Sequence, residues 1–225
     1  MQRRIDYNMQ ISVTELVLTI KKTTILQNIN VTFEKGKIHG LIGRNGSGKT
    51  MLMKCICGFV RPTSGTVTIA GKQIGKDCDF PASVGIIIET PGFIPYYTGY
   101  QNLKLLADLN KKIGKEEIRS TMKKVGLDPD MKRHVRKYSL GMRQRLGLAQ
   151  AIMENPDLLI LDEPMNGLDK DGVADMRKYL LDLRKQGKTI LIASHSADDI
   201  EVLCDTVCEM DKGILNKVAG FLNME

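Results

Sequence analysis

The sequence predicts an α/β fold with a mostly parallel sheet, an antiparallel β portion at the N-terminus and an inserted α-helical subdomain. Two apolar runs, Leu158–Leu161 and Ile190–Ala193, are each followed by a segment with helical periodicity. Strands that are apolar on both faces and alternate with helices are typical of a parallel sheet covered by helices. The first ninety residues favour short strands, whereas the chain from Tyr100 to about Pro156 has helical periodicity throughout.

The strands of the N-terminal part are predicted from alternation. Ile11, Val13, Leu16, Leu18 and Ile20 are separated by polar residues, as in a half-buried strand. The same reasoning predicts further strands at Ile29–Phe33, Ile38–Ile42, Thr66–Ala70 and Val84–Ile88.

Helices are predicted where apolar residues recur with helical spacing and charged residues occupy the outer faces. These segments are Met51–Cys57, Gln101–Asn110, Lys115–Val125 and Leu140–Met153. Gly58 is expected to end the first helix, and Pro91 to stop the strand that precedes the second. The chain is therefore predicted to be a single domain, 1–225, with a core formed by 1–90 and 156–225 and a helical subdomain at about 91–155.

Composition is that of a soluble globular protein: 225 residues, 42% of them hydrophobic and 26% charged, with a formal net charge of +7. The positive charge suits an anionic partner without choosing among nucleotide, nucleic acid and acidic membrane. The apolar runs are far shorter than the roughly 20 residues of a membrane span, and no apolar stretch follows the basic N-terminus as in a secretion signal. The five cysteines match no zinc module well and are expected to be small buried hydrophobes in a reducing cytosol.

A glycine-rich loop follows the strand at Ile38–Ile42. It reads Gly-Arg-Asn-Gly-Ser-Gly-Lys-Thr and has the spacing of a phosphate-binding loop. Glycines let backbone N–H groups approach phosphate oxygens, and the N-terminus of the following helix adds positive charge. The alternative is a glycine-rich turn that matches by chance. We expect a P-loop NTPase core that binds ATP through Gly43, Arg44, Asn45, Gly46, Ser47, Gly48, Lys49 and Thr50.

Two acids end the apolar strand at Leu158–Leu161. A carboxylate at the end of a buried strand is costly without a partner, and Mg²⁺ supplies one. Asp162 is expected to hold Mg²⁺, directly or through water, opposite the Thr50 hydroxyl. Glu163 is the candidate general base for an attacking water. The alternative is a strand that simply ends in solvent with acidic residues.

Four further motifs resemble those of the ABC (ATP-binding cassette) family. Tyr138–Arg145, Tyr-Ser-Leu-Gly-Met-Arg-Gln-Arg, resembles the signature motif, and Asn166–Asp169 is similar to the D-loop. His195 follows the next apolar strand, as the switch histidine of the family does. Glu89–Phe93, Glu-Thr-Pro-Gly-Phe, occupies the position of the Q-loop. The motifs stand in the family's order along nearly the whole chain.

The resemblance implies roles for these residues in a head-to-tail pair of cassettes, either a homodimer or two different chains. Ser139 and the Gly141 N–H would meet the γ-phosphate bound by the other subunit, and Asp169, with Asn166, would couple the two sites. His195 would hold the attacking water and Glu163 in register. Arg143 and Arg145 on the same helix could strengthen its positive end or face the partner lobe, and the alternative is a solvated basic face.

The sequence departs from the family at three places. Glu89 replaces the Q-loop glutamine; its carboxylate can still reach Mg²⁺ or a water of the metal, but it adds negative charge beside the phosphates. Leu140 and Met142 replace a glycine and a glutamine of the signature. The stretch Thr19–Thr24 has no aromatic residue to stack on adenine, so contact with the base is unassigned.

The expected function is that of a cytoplasmic ATPase subunit, peripheral on the inner face of the membrane, that energises a separate permease. The details resemble ATPases of bacitracin-resistance and lantibiotic-immunity exporters, which implies export of peptide antibiotics or other amphiphilic compounds. Phe93–Tyr97 is the candidate docking surface for the permease, with ordinary packing between lobes as the alternative. The other function weighed is a soluble ABC ATPase acting on ribosomes or DNA, although no nucleic acid is expected. A nucleotide kinase would have no use for the signature or His195.

Overall fold

Two sheets form the framework of the protein. The computed structural model describes residues 10–89 and 92–218, so the predictions for the N-terminus before residue 10 and for Pro91 lie outside the described chain. Its strands, in chain order, are β1 (Ile11–Ile20), β2 (Thr23–Phe33), β3 (Ile38–Ile42), β4 (Ser64–Ile69), β5 (Lys72–Gln73), β6 (Val84–Ile87), β7 (Leu158–Asp162), β8 (Thr189–Ala193), β9 (Thr206–Asp211) and β10 (Ile214–Val218).

The first sheet is antiparallel, with the strand order β2-β1-β4-β5, and confirms the predicted N-terminal β portion. The second sheet has the order β10-β9-β3-β8-β7-β6. All its pairs are parallel except that of β10 with β9. The sheet is therefore mostly parallel, as the apolar runs of β7 and β8 predict.

Helices connect the strands. In chain order they are α1 (Lys49–Ile56), α2 (Gly99–Asn110), α3 (Lys115–Lys124), α4 (Leu140–Ile152), α5 (Lys170–Lys185) and α6 (Ala197–Leu203), with a short 3₁₀ turn at Val135–Lys137 before α4. Helix α4 packs against β6 of this second sheet, with α2 and α3 against α4. In the described ranges, no helix combines the length and hydropathy that a membrane crossing requires.

Alternate residues of the central strands pack into two different cores. Leu158 and Ile160 of β7 belong to a cluster shared with α1 and the antiparallel sheet. Leu159 and Leu161 belong to the cluster shared with α4, α5 and α6. The side chains of a strand alternate between its two faces, so one strand contributes to both cores and both faces of the sheet are buried. This packing holds the carboxyl ends of the central strands in fixed positions.

Most predicted elements occur, with shifted ends. β2 begins at Thr23 rather than Ile29, since its polar first half also pairs with β1. α1 begins at Lys49, inside the predicted phosphate loop, rather than at Met51. The sequence predicts no strand at β9 or β10, where few apolar residues alternate. The three predicted helices between β6 and β7 are present as α2, α3 and α4. The division into a core and a helical subdomain at about 91–155 stays a prediction.

The cysteines behave as buried apolar residues. Cys55, Cys57, Cys204 and Cys208 are buried and Cys78 is half-buried. Burial raises the pKa of the Cys55 thiol to about 11 and that of Cys57 and of Cys204 to about 12. These thiols are therefore protonated near neutral pH, and the expectation of small hydrophobic side chains is confirmed for the four buried residues.

Candidate functional site

The glycine-rich loop wraps the N-terminus of α1. Gly43, Gly46 and Gly48 have φ angles of 137°, 78° and 112°, a region that favours glycine. A Cβ on Gly43 would stand 2.2 Å from the Met210 carbonyl oxygen, so this position also needs glycine for space. Lys49 is largely buried, and its ammonium donates to the Gly43 carbonyl at 2.6 Å and the Arg44 carbonyl at 3.2 Å. The lysine is thus held inside the loop.

A hydroxyl and a carboxylate meet at the base of this loop. The Thr50 hydroxyl, in the first turn of α1, donates to Asp162 Oδ2 at 2.7 Å, at the end of β7. Two oxygen ligands this close suit a hard cation such as Mg²⁺. The buried Ser47 hydroxyl has no hydrogen-bond partner within the described chain. An unsatisfied buried polar atom and a loop that only glycines can form fit the binding of an oxygen-rich ligand here.

Three neighbouring parallel strands end in chemically active side chains. In the register of the sheet, Ile87 of β6 faces Leu161 of β7, and Asp162 faces Ala193 of β8. Glu89 and Glu163 each lie two residues beyond the Ile87–Leu161 pair, so the two acids leave the sheet at equivalent positions. Both have φ in the left-handed region, 61° and 50°, which is uncommon for non-glycine residues and frequent at functional sites.

Glu163 and His195 form a hydrogen-bonded pair. His195 Nδ1 lies 2.8 Å from Glu163 Oε2, and their side chains are 68% and 24% exposed. The Glu163 N–H donates to the Ala193 carbonyl at 2.9 Å, which ties the turn after β7 to the end of β8. A carboxylate oriented by an imidazole is an arrangement that can accept a proton from water.

Glu89, expected as a metal ligand, has a basic partner. Its Oε1 atom lies 2.6 Å from Nζ of Lys54, in the last turn of α1. It also lines the cavity of Thr50 and Asp162. Of the predicted Q-loop segment, Thr90 and Pro91 lie outside the described residues, so the role of that segment toward metal stays a prediction.

The signature segment begins α4. Ser139 is the N-cap of this helix, and its hydroxyl accepts from the Met142 N–H at 3.2 Å. A Cβ on Gly141 would stand 2.4 Å from the Gly167 carbonyl oxygen, so a glycine lets the start of α4 touch the Asn166–Asp169 turn. Ser139 and Leu140 are exposed, and Leu140 is 65% accessible. The helix end is therefore available to a second molecule.

Asp169 caps α5 and is bound by Arg145. Its Oδ1 atom accepts from the Gly172 N–H at 3.1 Å and from Arg145 at 2.8 Å. The Gly172 hydrogen bond, followed by the Arg145 guanidinium, lowers the pKa of the Asp169 carboxyl below its usual value. Arg145 also donates to the Val125 carbonyl, at 3.0 Å. Arg145 is therefore held by hydrogen bonds within the chain and does not belong to a solvated face. Arg143, in contrast, is exposed and donates to the Arg136 carbonyl.

A cavity of about 630 Å³ joins these parts. Of the predicted site residues it is lined by Asn45, Gly46, Ser47, Gly48, Lys49, Thr50, Glu89, Asp162, Glu163 and Asn166. Leu140, Arg143 and Gln144 of α4 also line it. Ser139, Gly141 and Asp169 are not among its lining residues, and His195 joins it only through Glu163. Ile25 supplies an aliphatic side chain to the wall, where the sequence left the contact with the base unassigned.

The sequence did not predict the side chains that fix the backbone at Glu163 and bind Ser194, the residue before His195. The buried Gln144 amide donates to the carbonyls of Glu163, at 3.3 Å, and Pro164, at 2.9 Å. Asp199, 3% exposed, accepts from Arg177 at 2.6 Å and from the Ser194 hydroxyl at 3.2 Å, beside His195. A buried acid one turn after a candidate histidine is a signal that could have pointed to this support.

Comparison with known proteins identifies a family. A model described as ABC transporter matches residues 26–166, more than half of the chain. An uncharacterized ABC transporter ATP-binding protein of Bacillus subtilis, YybJ, is 49% identical over 205 residues, covering 91% of this chain and 94% of its own length.

Two relatives carry more specific names. The bacitracin transport ATP-binding protein BcrA of Enterococcus faecalis is 44% identical over 86% of this chain, which spans 64% of its length. The lantibiotic transport ATP-binding protein SrtF of Streptococcus pyogenes is 39% identical, over 83% of this chain and 80% of its own. This chain therefore spans less than two thirds of BcrA but most of SrtF.

The fold is that of a known cassette. A dimeric ATP-binding cassette, solved in a post-hydrolysis state with ADP and Pi bound, superimposes with a TM-score of 0.83. It is 20% identical, and the match covers 93% of this chain and 99% of that one. The likeness confirms the predicted fold class.

Proposed function

Because the chain belongs to the ABC transporter family, we propose that it is the ATP-binding and ATP-hydrolysing subunit of a membrane transporter. The observation that carries the proposal is the convergence of three parts on one cavity. These parts are the glycine-rich loop, the Thr50–Asp162 pair and the Glu163–His195 pair. The relatives' names refer to transport, which supports a transporter subunit over a soluble ATPase acting on ribosomes or DNA.

The loop binds the triphosphate. Backbone N–H groups of the glycine-rich turn and the N-terminus of α1 face the phosphate oxygens. Lys49 exchanges its two carbonyl contacts for the β- and γ-phosphates, which gives a charge-assisted contact in place of two neutral ones. Ile25 offers an apolar surface to the base.

Thr50 and Asp162 would hold Mg²⁺, and the ion would supply positive charge beside the β- and γ-phosphates. These residues fit the ion because both present oxygen atoms and already lie within hydrogen-bonding distance of each other. Asp162 is fixed by β7, in the middle of the sheet, and Thr50 by α1. The site is therefore rigid on the protein side.

Glu163 acts as the general base. Its carboxylate takes a proton from water, the resulting hydroxide oxygen bonds to the γ-phosphorus, and the bond to the β–γ bridging oxygen breaks to leave ADP and phosphate. His195 fixes the Glu163 carboxylate through Nδ1, and the opposite side of its ring is available to the γ-phosphate. Both residues are positioning or proton-accepting groups, and no covalent intermediate is needed.

The experiment is the substitution Glu163→Gln. It removes the proton acceptor but keeps the size of the side chain, so ATP hydrolysis should fall by about 10²–10⁴-fold while ATP binding persists. Phosphate release and the binding of a fluorescent ATP analogue measure the two effects. Glu201→Gln, an exposed glutamate on α6, is the matched control and should hydrolyse ATP at the parent rate. Parent-rate hydrolysis by Glu163→Gln would show that Glu163 is not the base.

A second cassette completes the site. Ser139 and Gly141 do not line the cavity of their own chain, yet they form an exposed helix N-terminus that suits a phosphate group. We propose that they contact the γ-phosphate held by a partner copy, and that Asn166 and Asp169 couple the two sites. The dimeric cassette with the same fold supports this arrangement.

The transport partner is a separate membrane permease, which keeps this subunit at the inner, cytoplasmic face of the membrane. The names of BcrA and SrtF support export of peptide antibiotics or similar amphiphilic compounds. Phe93–Tyr97 stays the proposed docking segment: Ile94, Tyr96 and Tyr97 are 38%, 64% and 41% exposed. Arg136 lies over the Tyr96 ring at 5.2 Å.

Co-purification tests the permease proposal. The tagged chain is expressed with the membrane proteins encoded beside it and extracted in mild detergent. A permease should co-purify with the parent chain, and Tyr96→Ser with Tyr97→Ser should release it while ATP binding persists. Recovery of ribosomes or nucleic acid with no membrane protein would contradict the proposal.

A further inference from the structure

The ion pair between Lys54 and Glu89 lies at the nucleotide cavity, with Glu89 among the lining residues and Lys54 behind it. Lys54 follows Thr50 by four residues, so the two side chains lie on the same face of α1, one turn apart. Glu89 lies beyond the end of β6 and joins Lys54 at 2.6 Å. Glu89 also lines the cavity with Thr50 and Asp162. The ammonium group is therefore one helical turn behind the proposed metal ligand.

Without a partner, Glu89 would oppose nucleotide binding. The cavity already contains the carboxylates of Asp162 and Glu163, and it must accept a triphosphate. Like charges at such distances disfavour one another, most strongly at low ionic strength. A cation in contact with Glu89 cancels the added charge. A glutamate at this position is therefore compatible with phosphate binding when a lysine accompanies it.

The two members of the pair differ in how firmly they are held. The Lys54 side chain is 23% exposed and extends from the last turn of α1, whereas that of Glu89 is 63% exposed, on a residue beyond the end of β6 that itself has a left-handed backbone. Lys54 is thus the anchored partner. A pair this exposed contributes little to folding stability. We therefore expect its main effect to be on the electrostatic potential in the nucleotide cavity.

We propose that Lys54 is a positioning residue that neutralises Glu89 and holds its carboxylate at the cavity wall, so that a triphosphate can bind beside it. The inference rests on the proposed function, since it concerns the same nucleotide site. Besides the phosphate loop and Thr50, α1 thus contributes Lys54, which compensates the charge of Glu89 beyond the end of β6.

The experiment measures binding of a fluorescent ATP analogue in EDTA and low salt, where no metal contributes. Lys54→Met should weaken binding by about fivefold, because the Glu89 charge is left uncompensated. Removing that charge as well, in Lys54→Met with Glu89→Gln, should restore affinity to within about twofold of the parent. Lys54→Arg should bind as the parent does, since it retains the charge.

A matched pair elsewhere provides the control. Lys37 and Glu34 also lie 2.6 Å apart, outside the cavity. Lys37→Met, and the same change combined with Glu34→Gln, should alter nucleotide affinity by less than about 1.5-fold. Raising the salt to 0.5 M should shrink the Lys54→Met effect, as charge screening requires.

Two results would overturn the inference: parent affinity in Lys54→Met, or equally weak binding in Lys54→Met with and without Glu89→Gln. The second would show that Lys54 acts through packing. Circular dichroism and thermal melting confirm that each variant is folded. If the parent chain itself binds no nucleotide, the proposed function fails; if the parent binds and Lys54→Met binds equally, only this inference fails.

Discussion

Glu163 occupies a backbone conformation that few residues with a side chain adopt. Its φ of 50° costs of order 1–3 kcal/mol, which the surrounding contacts must offset. The Ala193 carbonyl accepts from its N–H, and Gln144 donates to its carbonyl and to that of Pro164. The backbone of this turn is therefore fixed by hydrogen bonds with β8 and α4, independently of any ligand.

Arg177 and Asp199 support the residue that orients Glu163. Asp199 is 3% exposed and accepts hydrogen bonds from Arg177 and from Ser194, the residue before His195. Arg177→Leu should leave a buried carboxylate without its cation and lower the free energy of unfolding by about 3–5 kcal/mol. Urea unfolding measures this change. Hydrolysis should also slow in the fraction that remains folded, because the His195 turn loses its support.

The control for this prediction is an exposed pair of the same type. Arg119 in α3 donates to Asp130 at 2.9 and 2.5 Å, and the Asp130 side chain is 66% exposed. Arg119→Leu should cost less than about 1 kcal/mol, since exposed ion pairs are screened. Equal costs for Arg177→Leu and Arg119→Leu would contradict a special role for the buried pair.

Sequence predicts residues whose type the chemistry dictates. Lys49, Thr50, Asp162 and Glu163 are predicted because phosphate and metal binding need those groups at fixed spacing. The supporting residues follow no such rule. A buried glutamine such as Gln144 becomes recognisable only when the carbonyl groups it binds, some twenty residues away, have been placed.

At the scale of elements, strands buried on both faces were the most predictable. β7 and β8 each contain four consecutive apolar residues because each strand packs into two cores, and the apolar runs predict their positions to within a residue or two. β10 was missed since it lies at the edge of the sheet with exposed polar residues, and pairing with β9 determines its conformation.

The first residues of α1 and α5 are set by the backbone conformation and capping of the preceding loop, which the spacing of apolar residues does not reveal. α1 begins within the phosphate loop because Gly48, at φ 112°, turns the chain directly into the helix. α5 begins at Lys170 because Asp169 caps it, so the residue expected to couple two subunits also fixes a helix of its own chain. Asp169 can cap α5 and also couple two subunits, because a single carboxylate oxygen, Oδ1, accepts the hydrogen bonds from both Gly172 and Arg145.

At the scale of the whole molecule, the order of the parallel strands brings the chemistry together. β6, β7 and β8 are neighbours, and their ends supply Glu89, Glu163 and the turn before His195. Because the strands are parallel, their carboxyl ends all lie on the same side of the sheet, beside the start of α1. The spacing of motifs along the sequence does not give the register between strands that are distant in sequence. The order of the motifs therefore predicts which residues form the nucleotide site but not the contacts between them.

One cassette lacks part of the proposed site. The loop, the acids and the histidine converge within the chain, whereas Ser139 and Gly141, at the start of α4, are not among the residues that line the cavity, although Leu140 between them is. The central claim is therefore that two copies enclose ATP between the loop of one and the start of α4 in the other.

The most direct test is the molar mass of Glu163→Gln in sedimentation velocity, with and without saturating Mg·ATP. Blocked hydrolysis should trap the closed pair, so the mass should double on adding Mg·ATP and return to that of one chain when the nucleotide is removed. A Glu163→Gln protein that binds Mg·ATP yet keeps the mass of a single chain, with its permease supplied as well, would contradict the account.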